Sequence, residues 1–160
     1  MDKSKDAAVA GSEAKALDTE ARATDIIRSY MGWSAGAGLV PIPWLDLAAI
    51  IGVQLKMLKS LADLYGVPFR QDLVRPAVTA LVSTGGSALL AGPAASLAKT
   101  VPVFGTILGV LTMPALAAAA SWATGKVFIR HFESGGTFLD FDPAKARAYY
   151  AEQFGAAPKR

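Results

Sequence analysis

Apolar residues recur at every third or fourth position over much of the chain, and prolines and glycines mark the ends of these runs. The clearest run follows Pro43, and its members are Leu47, Ile50, Ile51, Gln54, Met57, Leu58, Leu61 and Leu64. Proline suits the first turn of a helix, where its missing N–H breaks no hydrogen bond. Asp46 lies in that turn, where a carboxylate meets unpaired N–H groups, and Gly66 can close the far end. The pattern predicts a helix from Pro43 to Tyr65.

The segment before Pro43 predicts a first helix from about Thr24 to Leu39, with Thr24 as its N-cap. This helix is expected to stop at "VPIP", because Pro41 and Pro43 lack an N–H and disfavour helical geometry in the preceding residue. The two helices thus form a hairpin with a proline turn. Residues 1–22 are rich in alanine, charged and small polar residues, which predicts a polar tail or a weak helix.

A second hairpin is predicted from two long stretches without charge. A third helix begins near Asp72, and 23 uncharged residues separate Arg75 from Lys99 and 26 more separate Lys99 from Lys126. Each stretch is long enough for a membrane span, although glycines and prolines interrupt both. Whether these segments span, re-enter or only touch a bilayer is left open. The turn "KTVPVFGT", which contains Lys99 and Pro102, echoes the "VPIP" turn.

The chain after Gly125 becomes amphipathic, and the glycine pair at Gly135 is expected to end that helix. An extended link follows, and then Asp142 and Pro143 supply the N-cap and first turn of a short helix. The predicted fold is all-α, with two proline-turned helical hairpins and a short C-terminal amphipathic helix. The expected division is a tail over residues 1–22, a hairpin domain over residues 23–137, and a link and helix over residues 138–160.

Composition narrows the chemistry. Apolar residues make up 52% of the chain and charged residues 18%, against about 25% in an average domain. The net charge of +3 is spread along the chain without a basic face, so nucleic acid is not an expected partner. Cysteine is absent and His131 is the single histidine, so no metal site and no cofactor is expected. We find no Ser-His-Asp set, carboxylate pair or phosphate-binding loop, and we expect no enzymatic activity.

Small residues recur on the apolar helices. After Pro102 they follow at four-residue steps, broken at Met113, and comprise Gly105, Gly109, Ala117, Ser121 and Gly125. Faces of this kind allow close helix contact, so we expect them to form the contact in a homo-oligomer. Asp46 is expected to be structural rather than catalytic. Gln54 and Met57 are expected in the core, with one amide hydrogen bond between helices.

The ordered motifs resemble the domain of unknown function 697 family. The resemblance covers about residues 24–137, through "LVPIPWLDLAAIIGVQLKMLKSLADLYGV", "KTVPVFGTILG" and "ATGKVFIRHFESGG". The matching positions are Pro43, Asp46, Gln54, Met57, Tyr65, Gly66, Lys99, Pro102 and Gly105. Members of this family occur fused to or encoded near small GTPases, and many are membrane-associated. The resemblance therefore implies a small GTPase as a partner, and it implies no catalytic residues.

The sequence predicts a non-enzymatic scaffold that is embedded in or associated with a lipid bilayer and forms homo-oligomers. Residues 1–22 contain no apolar signal core, and basic residues flank the open ends of both hairpins. These features predict a bacterial-type inner membrane with cytoplasmic termini. The alternative is a soluble, cytoplasmic all-α interaction module that is also oligomeric.

Overall fold

The computed structural model describes residues 3–37, 43–91 and 104–158, and these residues form helices joined by short loops. The helices are α1 (Lys3–Ala37), α2 (Pro43–Tyr65), α3 (Gln71–Ala91), α4 (Phe104–Glu133) and α5 (Pro143–Gly155). Within these ranges there is no β-strand, and the predicted all-α class is confirmed. Most of both predicted hairpin turns, "VPIP" at residues 40–43 and "KTVPVFGT" at residues 99–106, lies outside the described residues, and α2 and α4 begin at the last residues of these motifs.

Helix α1 is longer than the sequence pattern predicts. The start expected at Thr24 is wrong, because α1 is continuous from Lys3 to Ala37. Its first turns are rich in alanine, the strongest helix former, which explains why they are helical although they bury little apolar surface. Burial begins at Ala23 and continues through Ile27 and Met31 on one face. The expected division of the chain into three parts stays a prediction.

The ends of α2 and α4 follow the expected glycine signals. Gly66 has a φ of 69° and Gly135 a φ of 83°, both in the left-handed region that favours glycine. The N–H of Val67 donates to the carbonyl of Ala62 at 2.8 Å, which closes the end of α2 in a Schellman motif. The same arrangement ends α4. These two caps fix where the chain leaves each long helix.

The core forms where α1, α2 and α4 meet and where α3 and α5 cover them. Fully buried side chains come from all five helices, among them Ile27, Met57, Leu58, Leu61, Val74, Val78, Leu81, Phe128 and Tyr150. Phe128 also lies among other aromatic rings of α4 and the link before α5, with ring centroids 4.4–5.8 Å apart. Close ring pairs in offset or tilted geometry add stability beyond area burial. This aromatic cluster holds the C-terminal link against α4.

The short final helix begins as predicted. Asp142 is the N-cap of α5, and its carboxylate accepts the N–H of Ala144 at 2.9 Å, with Pro143 in the first turn. Helix α3 runs unbroken through Gly85 and Gly86, and α4 runs through Pro114, so the expected interruptions do not end either helix. In residues 3–37, 43–91 and 104–158, no helix combines the length and the apolarity that crossing a bilayer requires.

Candidate functional site at the apolar end of the bundle

Charged residues are segregated toward one end of the bundle. Helix α1 carries no charge after Arg28, α3 carries none after Arg75, and α4 carries none before Lys126. In α2 the one charged residue before Lys56 is Asp46. We call the uncharged end, formed by residues 29–37, 43–55 and 104–125, the apolar end.

The direction of the helices brings these segments together. Ser34 of α1 and Gln54 of α2 both contact Ser121 of α4. Nearer the N-terminus of α1, Tyr30 contacts Ser60 of α2 and Glu20 contacts Lys126 of α4, and both partners lie nearer the C-termini of their helices. Helix α1 is therefore antiparallel to α2 and to α4. The C-terminus of α1 consequently lies at the same end of the bundle as the N-termini of α2 and α4.

A large aromatic side chain is exposed at this end. Trp33 is 71% exposed on the outer face of α1. It borders a shallow groove of about 520 Å³ that is also lined by Ser29, Gly32, Gly36 and Val53. Apart from the nearby backbone of α1 and the two neighbours of Gly36, no atom of a described residue lies within 4 Å of the position where a Cβ of Gly36 would stand, so the groove is open there. Exposed tryptophan next to apolar surface is typical of groups that sit at the boundary between water and lipid.

A buried polar junction joins three helices at the base of the apolar end. Its members are Ser34 of α1, Gln54 of α2 and Ser121 of α4, all fully buried. The Ser34 and Ser121 hydroxyl oxygens are 2.5 Å apart, and the Gln54 amide donates to the Ser121 hydroxyl at 3.0 Å. This is the amide hydrogen bond between helices that the sequence predicts. Buried polar groups are costly when unpaired, so the junction favours one register of the three helices.

The Gln54 side chain is only half satisfied at this junction. Its Oε1 atom is buried and accepts no hydrogen bond from any described residue. A primary amide can donate two and accept two hydrogen bonds, so the junction has unused capacity on this side. Even so, its hydrogen bonds join α1, α2 and α4. A polar Gln54 within an apolar stripe was enough to predict a hydrogen bond between helices.

Three of the predicted oligomer-contact residues face neighbouring helices of the same chain. Ala117 and Ser121 are buried, and a Cβ at Gly125 would lie 2.5 Å from the Cδ1 atom of Ile27 in α1. Their small size therefore serves the packing of α4 against α1 and α2. Gly105 and Gly109 lie in the first turns of α4, and their surroundings are outside the described residues. A contact between copies at these positions stays a prediction.

The other predicted motif residues have mixed outcomes. Met57 is fully buried in the core, and Pro43 is the first residue of α2, as expected. The Tyr65 hydroxyl donates a hydrogen bond to the Glu133 carboxylate at 2.9 Å. Burial of the hydroxyl is the larger cause, and the carboxylate the smaller cause, of a raised Tyr65 pKa. Gly66 closes α2. The structure does not describe Pro41, Lys99, Pro102 or the side chain of Asp46. The structural role expected for Asp46 therefore stays a prediction.

A second depression lies between the end of α4 and α5. It is an open cleft of about 440 Å³ whose charged and titratable members are Arg130, His131, Asp140, Asp142, Lys145 and Tyr149. The Arg130 guanidinium lies 4.5 Å from the centre of the Tyr149 ring, and His131 Nε2 is 2.8 Å from the carbonyl oxygen of Thr137. In the part of the chain that the structure describes, no three metal-ligating side chains come together.

The carboxylates of this cleft serve the local fold. Asp140 accepts hydrogen bonds from the hydroxyl and the backbone N–H of Thr137, both at 2.6 Å, and these bonds lower its pKa. Asp142 caps α5. The cleft thus carries both signs of charge, and its polar groups are engaged in holding the link between α4 and α5. We therefore place the candidate functional site at the apolar end.

Sequence reasoning missed two residues of this site. Ser34 follows Ala23, Ile27 and Met31 on the buried face of α1, and a lone hydroxyl on that face was a signal of a buried polar contact. Trp33 lies outside this buried stripe of α1, and a position outside the stripe indicates an exposed side chain. Both residues lie inside the first helix predicted from the sequence, but no core face was assigned to that helix.

Comparison with known proteins identifies the family. The family model described as "Domain of unknown function (DUF697)" matches residues 4–158, and the chain belongs to this family. The match extends beyond the span of residues 24–137 over which the motifs are recognisable. The chain is also 37% identical over 134 residues to "Magnetosome membrane protein 22" of Magnetospirillum gryphiswaldense, covering 82% of this chain and 68% of the relative. No solved structure matches this chain.

Proposed function

We propose that this member of the DUF697 family is a membrane-associated, non-enzymatic scaffold whose apolar end contacts lipid. The observation that carries the proposal is the segregation of charge. Apart from Asp46, the three segments that form the apolar end contain no charged residue, whereas charges are frequent elsewhere in α1, α2 and α4. A charged side chain in the centre of a bilayer costs roughly 2.5–3.5 kcal/mol on insertion scales. An end without charges avoids this cost.

The similarity to a magnetosome membrane protein supports the same proposal. That relative shares 37% of residues over most of this chain, and its name places it in a membrane. Trp33 adds a physical reason, since its exposed ring lies near the base of the apolar end. Aromatic rings of this kind are enriched where protein passes from the headgroup region to water. We propose a bacterial-type inner membrane with cytoplasmic termini as the location.

Flotation with lipid vesicles tests the proposal, and two exposed apolar residues supply a matched pair. Trp33 is 71% exposed at the apolar end, and Leu139 is 76% exposed in the link before α5, at the charged end. We expect the full chain to float with vesicles of phosphatidylethanolamine and phosphatidylglycerol. Trp33→Glu should weaken this binding about tenfold or more, because burial of a large apolar side chain contributes about 1.5–3 kcal/mol. Leu139→Glu should float like the unmodified protein.

Two outcomes contradict the lipid contact. In one, the chain stays at the bottom of the gradient and remains monodisperse without detergent. In the other, Trp33→Glu and Leu139→Glu reduce flotation equally, which would place the contact elsewhere. Circular dichroism of each variant checks that the helices are retained.

Self-association and a small GTPase partner are further parts of this proposal. Small residues in the first turns of α4, including Gly105 and Gly109, suit close contact with a second copy. Gly109→Leu should lower the oligomeric state seen by native mass spectrometry, and an oligomer indifferent to this change contradicts the contact.

The proposal of a small GTPase partner rests on family members that are fused to or encoded near small GTPases. Co-purification with a GTPase encoded nearby is the corresponding test.

A soluble oligomeric interaction module is the second candidate. The core favours it, because buried side chains from all five helices pack against one another. The flotation experiment separates the two candidates. The soluble module predicts a detergent-free, monodisperse oligomer that ignores vesicles, whereas the membrane scaffold predicts flotation that depends on Trp33.

A further inference from the structure

The N-terminal part of α1 projects from the bundle as a single helix. Residues 5–22 are exposed to solvent apart from the half-buried Thr19, and the first buried residue is Ala23. At 1.5 Å per residue, this segment adds about 27 Å of helix beyond the core. Most of the stability of a helix in a protein comes from packing one of its faces against another element, and this segment has no such packing among the described residues. A partner that packs along the segment would therefore stabilise it.

One face of this segment repeats every three and four residues. The repeat consists of Ala7, Ala10, Ala14, Leu17, Ala21 and Thr24, which correspond to the a and d positions of successive heptads. We call these six residues the alanine seam. Leu17 is 68% exposed, and Leu17, Ala21 and Thr24 line a shallow groove of about 350 Å³ on the outer surface. The alanine seam is thus an apolar, small-residue stripe with no covering element among the described residues.

The charges beside the alanine seam all have one sign. The flanking e and g positions carry Asp6, Glu13, Asp18, Glu20 and Asp25, and no Lys or Arg occupies any of them. The bases of this segment, Lys5, Lys15 and Arg22, occupy b and f positions on the opposite side. Charges at e and g positions decide which helix pairs with which.

These carboxylates have capacity for a partner. Asp6 and Glu13 make no ion pair with any described residue, and the three others form contacts of 3.9–4.0 Å within the chain. The pairs of Asp18 and Asp25 are highly exposed, and exposed pairs contribute little to stability. An incoming cation can therefore replace them at small cost.

We propose that the alanine seam is a docking surface for a helix of another protein, one with an apolar stripe flanked by Lys and Arg. A second copy of this chain does not fit the seam, because parallel or antiparallel pairing sets carboxylates against carboxylates. An anionic membrane surface is disfavoured by the same charges. The inference is independent of the lipid contact at the apolar end, which lies at the other end of α1.

The test uses the full chain and designed helical peptides as probes. The basic peptide carries Ala at a, Leu at d and Lys at e and g positions, and its acidic twin carries Glu in place of Lys. We expect the chain to bind the labelled basic peptide in fluorescence anisotropy and to ignore the acidic twin. Binding should weaken as salt rises, since exposed charge pairs are screened.

A matched pair of alanine variants locates the contact. Ala14→Gln enlarges the alanine seam and should weaken binding of the basic peptide about tenfold, because it separates the two helix axes. Ala8→Gln makes the same change on the face turned away from the seam and should leave binding unchanged. Helix content by circular dichroism should be equal in the two variants.

Four results overturn the proposal. The first two are equal binding of the basic and acidic peptides and binding that Ala14→Gln leaves intact. The third is a fall in the oligomeric state of the chain on Ala14→Gln in the absence of peptide, which would assign the seam to a second copy. Loss of vesicle flotation on Ala14→Gln would likewise assign the seam to lipid, whereas failure of the Trp33→Glu test leaves the seam unaffected.

Discussion

At the residue scale, the smallest side chains of α4 set how closely its neighbours approach. Gly125 faces Ile27, a fully buried residue of α1, and leaves no room for a methyl group. One turn earlier, the small hydroxyl of Ser121 lets α1, α2 and α4 meet at the polar junction. Both residues were predicted to form the contact between copies of the chain, whereas in the structure they face neighbouring helices of the same chain.

Gly125→Ala should therefore destabilise the protein. The added Cβ would stand 2.5 Å from two side-chain atoms of Ile27, and overpacking in a buried site costs about 1–3 kcal/mol. Gly52→Ala is the matched control, because nothing lies within 4 Å of its Cβ position in the exposed face of α2. That change should stabilise by roughly 0.5–1 kcal/mol. Urea unfolding measures both, and a Gly125→Ala protein as stable as Gly52→Ala contradicts this packing.

The polar junction gives a second residue-scale prediction. Ser121→Ala removes the partner of both Ser34 and Gln54, and a buried group left unpaired costs about 1–3 kcal/mol. The triple variant Ser34→Ala, Gln54→Met, Ser121→Ala removes all members together and should unfold at a urea concentration closer to that of the unmodified protein. A triple variant far less stable than Ser121→Ala would contradict this, because it would show that the complete junction adds net stability beyond avoiding unpaired buried groups.

At the scale of elements, helix ends were easier to predict than helix lengths. Helix ends are marked by residues whose chemistry suits the backbone there. Pro43 lacks the N–H that would go unpaired in a first turn, Gly66 and Gly135 adopt a left-handed φ, and the Asp142 side chain accepts a backbone N–H. The start of α1 was missed because its first turns have helix propensity but little apolar periodicity. The polar junction was half predicted: Gln54 was expected to bond across helices, but its partner depends on how α1 and α4 cross, which the sequence does not encode locally.

Helix α5 provides the prediction at this scale. Its N-cap carboxylate accepts the N–H of Ala144 at 2.9 Å, so Asp142→Ala should destabilise by about 0.5–2 kcal/mol. Asp142→Asn should lose much less, because the amide oxygen still accepts this bond. Tyr150 is fully buried from α5, so loosening the helix is expected to expose its ring. Near-ultraviolet circular dichroism and thermal unfolding follow both effects, and equal losses in Ala and Asn variants would contradict capping as the cause.

At the scale of the whole molecule, charge and exposure divide the protein into regions with different surroundings. The apolar end lacks charge apart from Asp46, the middle is a closed core, and the far end carries the projecting, acidic-flanked part of α1. The uncharged runs were visible in the sequence, and they predicted a membrane-associated helical protein. The gathering of the uncharged parts of α1, α2 and α4 at one end depends on the antiparallel packing of α1 against α2 and α4, which only the fold reveals.

Tryptophan fluorescence tests the contact between the apolar end and lipid most directly. The chain has three tryptophans, and variants that retain only Trp33 or only Trp122 compare an exposed ring with a buried one, at 71% and 9% exposure. Each is mixed with vesicles whose acyl chains are brominated and therefore quench nearby tryptophan. We expect strong quenching of Trp33 and little quenching of Trp122. Equal emission of the Trp33 variant in brominated and ordinary vesicles would contradict a lipid contact beside Trp33.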